Sequence, residues 1–82
     1  MRYEIYYTAQ AEAELRAFPA KIQRQITAKV SRLQHGFTGD IKKLQATDSV
    51  YRLRSGDFRI LFEIDGSTLV IRTIRDRKKA YE

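Results

Sequence analysis

The 82-residue chain has no cysteine and no tryptophan, and only one histidine and one proline. Without cysteine there is no disulfide framework and no thiolate nucleophile. With one histidine as well, the common zinc spacings and any Cys-His pair are excluded, and a cytoplasmic setting is expected. No apolar run approaches the roughly 18 residues of a membrane span, and no basic-then-apolar leader opens the chain. We therefore expect a soluble, unprocessed protein with no membrane partner. A glycine-rich phosphate loop and a G-x-S-x-G elbow are also missing. Glu12 and Glu14, two residues apart, cannot share a helix face, which argues against a two-carboxylate mechanism. His35 falls at an expected helix end, where it complements the dipole.

What is abundant is positive charge. The formal net charge is +6 and the pI about 9.9. On so short a chain, this excess implies nucleic acid or an acidic protein as partner, or else a basic surface that only maintains solubility. The charge is not spread evenly. Arg52, Arg54, Arg59, Arg72, Arg75, Arg77, Lys78 and Lys79 make up half of the 16 basic residues.

Residues 51–76 organise the rest. They read as three runs of β-branched, aromatic and apolar residues, separated by Ser55-Gly56-Asp57 and Asp65-Gly66-Ser67, the pattern of a β-meander. Phe58, Ile60, Phe62 and Ile64 alternate with Arg59, Leu61 and Glu63, giving one strand an apolar face. Val70, Ile71 and Ile74 continue in the last strand, whose faces alternation alone does not assign. Upstream, residues 2–7 read as a first strand with Tyr3, Ile5 and Tyr7 on one face and Glu4 and Tyr6 on the other. Thr8 is a suitable N-cap for a helix over 9–18, with Ala11, Leu15 and Phe18 inward. Pro19 separates it from a second helix over 20–34, where Ile22, Ile26, Val30 and Leu33 form one amphipathic face. Gly36 suits a helix C-cap. Residues 37–49 read as a connecting loop anchored by Ile41 and Leu44.

A chain of this length buries roughly 60% of its unfolded surface, enough for one domain over 1–82. The order β-α-α-β-β-β predicts an α+β fold, with a helical hairpin packed on one face of a small, mainly antiparallel sheet. Its other face would lack helical cover. By strand parity, Arg52, Arg54 and Arg59 share that open face, while Tyr51 and Leu53 point inward with Phe58, Ile60, Phe62 and Ile64. Charged residues are depleted in strands, so these arginines either line a solvated face, with Glu63 as a local partner, or bind an anion. Guanidinium groups suit phosphate because they remain charged and can donate two parallel hydrogen bonds.

The element order, Lys43-Leu44, the run Y-R-L-R-S-G-D-F-R-I-L-F and the ending I-R-D-R-K-K-A-Y together resemble the RelE/ParE superfamily of bacterial and archaeal toxins. The resemblance spans the chain, and its specific motifs lie in the second half. It implies a RelE-like fold and a toxin of a type II toxin-antitoxin system. In the RelE branch it further implies an mRNA interferase acting in the ribosomal A site, with mRNA, the ribosome and a cognate antitoxin as partners and no cofactor or metal.

Carried over by position, Arg59 matches the strand arginine that binds the scissile phosphate. Arg75 matches the arginine that stabilises leaving-group charge, and Tyr81 the tyrosine that stacks on or orients a base. Arg52 matches a basic residue that helps activate the 2′-hydroxyl. Arg54, Lys43, Arg77 and Lys78 are the expected RNA-binding residues. The chain departs from many relatives in having Asp76-Arg77 where they have a histidine in this ending. A ParE-like gyrase poison and a non-catalytic RNA- or ribosome-binding module are the competing readings. The resemblance favours the nuclease, because the ParE branch generally lacks the arginine-tyrosine ending.

Overall fold

The computed structural model describes residues 2–36, 40–43 and 50–76. The chain opens with β1 (Glu4–Tyr7), α1 (Ala9–Arg16) and α2 (Ala20–Arg32), and α2 runs into a short 3₁₀ turn, Leu33–His35. Four strands follow: β2 (Asp40–Lys43), β3 (Val50–Ser55), β4 (Phe58–Asp65) and β5 (Thr68–Asp76). They form a five-stranded sheet in the order β1-β5-β4-β3-β2, in which β1 and β5 run parallel and the other pairs antiparallel.

β2 corrects the sequence-based expectation of a loop over 37–49. Asp40-Ile41-Lys42-Lys43 has poor strand propensity and one apolar residue, so its pairing with β3 outweighs its local preference. A short, lysine-bearing strand is also a common way to end a sheet, since charge discourages further strand addition. The expected anchor Ile41 does pack against the core; Leu44 lies outside the described residues.

Local signals account for the helices. Thr8 caps α1 by accepting from the Ala11 N–H at 3.1 Å. The helix stops at Arg16, short of the expected Phe18, and Pro19 takes the N-cap position of α2 with extended ψ of 153°. A tighter 3₁₀ turn follows, closed by the Gly36 N–H donating to the Leu33 carbonyl at 3.2 Å, and the φ of 142° at Gly36 suits glycine. In the two hairpins, Gly56 and Gly66 hold the first turn position at φ 60° and 62°. Their successors have negative φ, the pattern of a type II′ turn that matches the twist of adjoining strands.

Ala11, Ile26, Val30 and Leu33 from the helical half meet Leu53, Ile60, Phe62, Leu69, Ile71 and Ile74 from the sheet in one buried cluster. All six sheet residues lie on the same face by their cross-strand register. Each large aliphatic side chain buried here contributes about 1.5–3 kcal/mol relative to exposure. Phe18 extends the core to the β4 start through an edge-on contact with Phe58 at 5.0 Å, and Tyr51 stacks on Phe62 at 5.5 Å. Both helices therefore cover one face. The opposite face carries Tyr6, which is 58% exposed.

Candidate nucleic-acid interface

Cross-strand register brings three arginines into a single row on the uncovered face. Arg54 on β3 stands opposite Arg59 on β4, and Arg59 stands opposite Arg75 on β5. Neighbouring strands are about 4.8 Å apart, so the row spans about 10 Å, comparable with one or two nucleotide phosphates. The next row places Lys42 on β2 opposite Arg52, and Arg52 opposite Leu61. Lys42, Arg52, Arg54, Arg59 and Arg75 thus share one end of one face, where Asp40 on β2 holds the register position opposite Arg54. The far end is different: Glu63 and Asp65 on β4 and Glu4 on β1 lie there, with Tyr6 and Val70 between.

A β-bulge delivers Arg75 to this row. Leu61 pairs with Thr73 and Phe62 with Ile71, leaving Arg72 as an extra residue in β5. The extra residue explains why alternation failed to assign the faces of this strand. Ile71 and Ile74, three apart rather than two or four, both point into the core.

The described residues contain two ion pairs, Glu12 with Arg16 on α1 and Glu63 with Arg72 at 3.0 Å. Neither involves Arg52, Arg54, Arg59 or Arg75. Glu63, a possible neutralising partner for the arginine face, instead serves the bulged Arg72. Arg54 and Arg75 are exposed, and Arg52 and Arg59 half-buried. Like charges held directly opposite one another are unfavourable in a sheet unless something else occupies the space between them. The arrangement is chemically suited to a polyanion, which would bridge the guanidinium groups with charge-assisted hydrogen bonds. Among the described residues no cluster of three or more His, Cys, Asp or Glu is placed to hold a metal ion, and no helix is long and apolar enough to cross a membrane.

Residues 5–81 match the family model of the ParE toxin of type II toxin-antitoxin systems. The chain belongs to this family. It is 30% identical over 74 residues to toxin RelE3 of Methanocaldococcus jannaschii, with 84% of each chain covered. Its fold matches the RelB-RelE antitoxin-toxin complex from Methanococcus jannaschii with a TM-score of 0.78 at 26% identity, covering 93% of this chain and 94% of the other. The archaeal RelE-RelB complex from Pyrococcus horikoshii gives 0.80 at 22% identity, with 94% and 97% covered. Isolated Escherichia coli RelE gives 0.78 at 15%, with 90% and 83% covered. The last two likenesses concern the fold alone.

Within this RelE-like toxin, four of the expected site residues, Arg52, Arg54, Arg59 and Arg75, come together on the open face. Tyr81, Arg77 and Lys78 lie outside the described residues. Lys43 does not join the arginines: it pairs with Tyr51, which places it on the helix-bearing face. Lys42 takes the position on the arginine face instead. Sequence reading passed over Lys42 because residues 37–49 carried no strand signal, and without a register two adjacent lysines cannot be told apart.

Proposed function

We propose that this toxin is an mRNA interferase, an endoribonuclease that cuts messages in the ribosomal A site and so stops translation. The observation that carries the reading is the row Arg54-Arg59-Arg75 on the uncovered face, in which Arg59 and Arg75 have no ion-pair partner among the described residues, flanked by Arg52 and Lys42. In this scheme the 2′-oxygen of the nucleotide before the cut attacks the adjacent phosphorus. The bond to the 5′-oxygen breaks, the 2′-hydroxyl proton passes to solvent, and the departing oxygen takes a proton from water. The products are a 2′,3′-cyclic phosphate and a 5′-hydroxyl.

Arg59, central in the row, holds the scissile phosphate. Arg75 stabilises charge on the leaving side, Arg52 acts near the 2′-hydroxyl, and Tyr81 orients a base. Arg54 and Lys42 bind flanking phosphates. Tyrosine ordinarily titrates at about 10 and arginine above about 12, so side chains of these types are poor general bases near neutrality. The rate then depends on in-line positioning and on stabilising the phosphorane. A ribosome that holds the message in a reactive geometry supplies the positioning that the toxin lacks.

The antitoxin partner follows from the same surface. RelE toxins from Methanococcus jannaschii and Pyrococcus horikoshii have been solved bound to RelB. For this chain we infer an antitoxin with an acidic or amphipathic segment that masks the arginine face or a sheet edge.

The family model that matches is that of ParE, which favours a second reading, a gyrase poison on the same fold. One experiment separates the two. A defined message is incubated in a purified translation system, with and without ribosomes, with wild type, Arg59→Ala and Tyr81→Ala. Ribosome-dependent cuts that the variants lose support the interferase. An intact message alongside arrested growth moves the target to gyrase, and tight RNA binding without cleavage leaves a non-catalytic binding module.

A further inference from the structure

β1 covers the outer edge of β5 only as far as Ile71. Beyond that point the strand's edge is met by α1 and its cap. The Thr8 N–H donates to the Ile71 carbonyl at 3.0 Å, and the Thr8 hydroxyl donates to the Arg72 carbonyl at 3.0 Å. Next along, Glu14 Oε1 accepts from the Ile74 N–H at 3.1 Å and from the Thr73 hydroxyl at 2.7 Å. Thr73 is only 8% exposed, so this carboxylate satisfies a largely buried polar group as well as a backbone donor. A threonine and a glutamate thus continue the edge pairing that β1 leaves off.

They do so at the bulge. Were Arg72 not extra to the pairing, continuing from Phe62–Ile71 would set Leu61 opposite Arg72, Ile60 opposite Thr73, Arg59 opposite Ile74 and Phe58 opposite Arg75. A shift of one residue turns every following side chain to the other face. Arg75 would then point among the core residues, and Ile74, now 1% exposed, would turn out of the core. The burial of Ile74 opposes such a slip. It does not prevent the last residues of β5 from opening, because their outer edge has no strand beside it.

We propose that Glu14 is a positioning residue that clamps the end of β5 in its bulged register and so holds Arg75 opposite Arg59. Its consequence for catalysis rests on the nuclease reading; its consequence for the strand does not. Glu14 lies on α1 and touches no arginine of the row. Its action reaches the site only through Thr73 and Ile74, the two residues before Arg75.

The test uses the full chain with Glu14→Ala, Glu14→Gln and Arg75→Ala, read first by amide hydrogen exchange. Glutamine keeps an acceptor oxygen at the same reach, so Ile74 should remain protected in Glu14→Gln. In Glu14→Ala the Ile74 amide should exchange about ten-fold faster or more, while Phe62 in the core stays slow. If Glu14→Ala does not fold, Glu14→Asp, one methylene short, serves in its place. Unchanged Ile74 exchange overturns the clamp whether or not the protein cuts RNA. The second readout is a double-variant cycle on cleavage under translation conditions. Glu14→Ala should lower kcat with little change in KM, and should add nothing in the Arg75→Ala background. Losses that simply multiply overturn the route through Arg75. A wild type that fails to cleave overturns the nuclease reading, and the exchange result still decides the clamp.

Discussion

Arg59 and Arg75 occupy directly opposed positions on adjacent antiparallel strands, and neither has an ion-pair partner among the described residues. Like charges so placed cost roughly 0.2–1 kcal/mol each relative to neutral pairs. The free toxin therefore carries a small, localised destabilisation at the point where the proposed substrate phosphate would sit. Arg59→Ala should relieve it: the free protein should unfold at equal or higher denaturant concentration than wild type. The same substitution should cost about 2–4 kcal/mol of transition-state stabilisation, by analogy with losing one oxyanion donor. Urea titration and message cleavage on the same two samples check both halves. Wild-type cleavage by Arg59→Ala would remove Arg59 from the site.

Salt dependence should report which face meets RNA. Each phosphate contact with a single strand contributes about −0.7 to the slope of log affinity against log salt. Arg54→Ala and Lys42→Ala, both on the open face, should each make the slope shallower by about that amount. Lys43→Ala, on the helix-bearing face, should leave it unchanged. An equal effect at Lys43 would mean that the nucleic acid wraps onto both faces.

Thr8 does two jobs at once, capping α1 through Ala11 and holding the Arg72 carbonyl. Replacing it with alanine should cost about 1–2 kcal/mol, the upper part of the range for a lost cap, because a second hydrogen bond goes with it. Thr8→Ser keeps the oxygen and should recover most of that loss. Chemical unfolding of the three proteins measures the difference, and a Thr8→Ala loss of only a few tenths of a kcal/mol would show that water replaces both bonds.

Much of this architecture was legible because local and tertiary preferences agree. The apolar side of Phe58, Ile60, Phe62 and Ile64, the two glycine turns, the Thr8 cap and the Ile26-Val30-Leu33 stripe each follow from spacing and residue type. The convergence of Arg52, Arg54 and Arg59 followed from strand parity alone. Four features were hidden for physical reasons. β2 has little strand character of its own and exists because β3 offers it an edge. The bulge at Arg72 breaks the alternation on which face assignment depends, so Arg75 could be placed with the row only through the observed register. Lys42 and Lys43 differ in face, not in chemistry, and only pairing with Arg52 and Tyr51 distinguishes them. The Glu14 contacts with Thr73 and Ile74 span about sixty positions in sequence and leave no local trace.

Tyr7 sets an alkaline limit on stability. Burial raises its phenol above the usual value of 10.0. Between the unfolded and folded pKa values the folded chain keeps a proton that the unfolded chain has lost, so stability falls as pH rises across that interval. The stabilisation is fully present below about pH 10 and is lost as pH climbs through the raised folded value. Tyr7→Phe removes the ionisable group and should flatten this part of the stability curve. Urea unfolding at a series of alkaline pH values compares the two slopes, and parallel curves would mean that Tyr7 ionises equally in both states.

The pH dependence of cleavage should look different from that of an enzyme with a histidine acid-base pair. The proposed groups are arginines and a tyrosine, residue types that are ordinarily poor general bases near neutrality. As pH rises, more of the attacking 2′-hydroxyl is available in its deprotonated form, while the positive charge that binds the phosphate stays in place. The rate of a single turnover on a ribosome-held message should therefore climb with pH across the neutral range, without a maximum there. A bell centred near neutrality would require a titrating group outside the arginine row. His35 is the first to replace, because it is the chain's one histidine and histidine is the side chain that ordinarily titrates there.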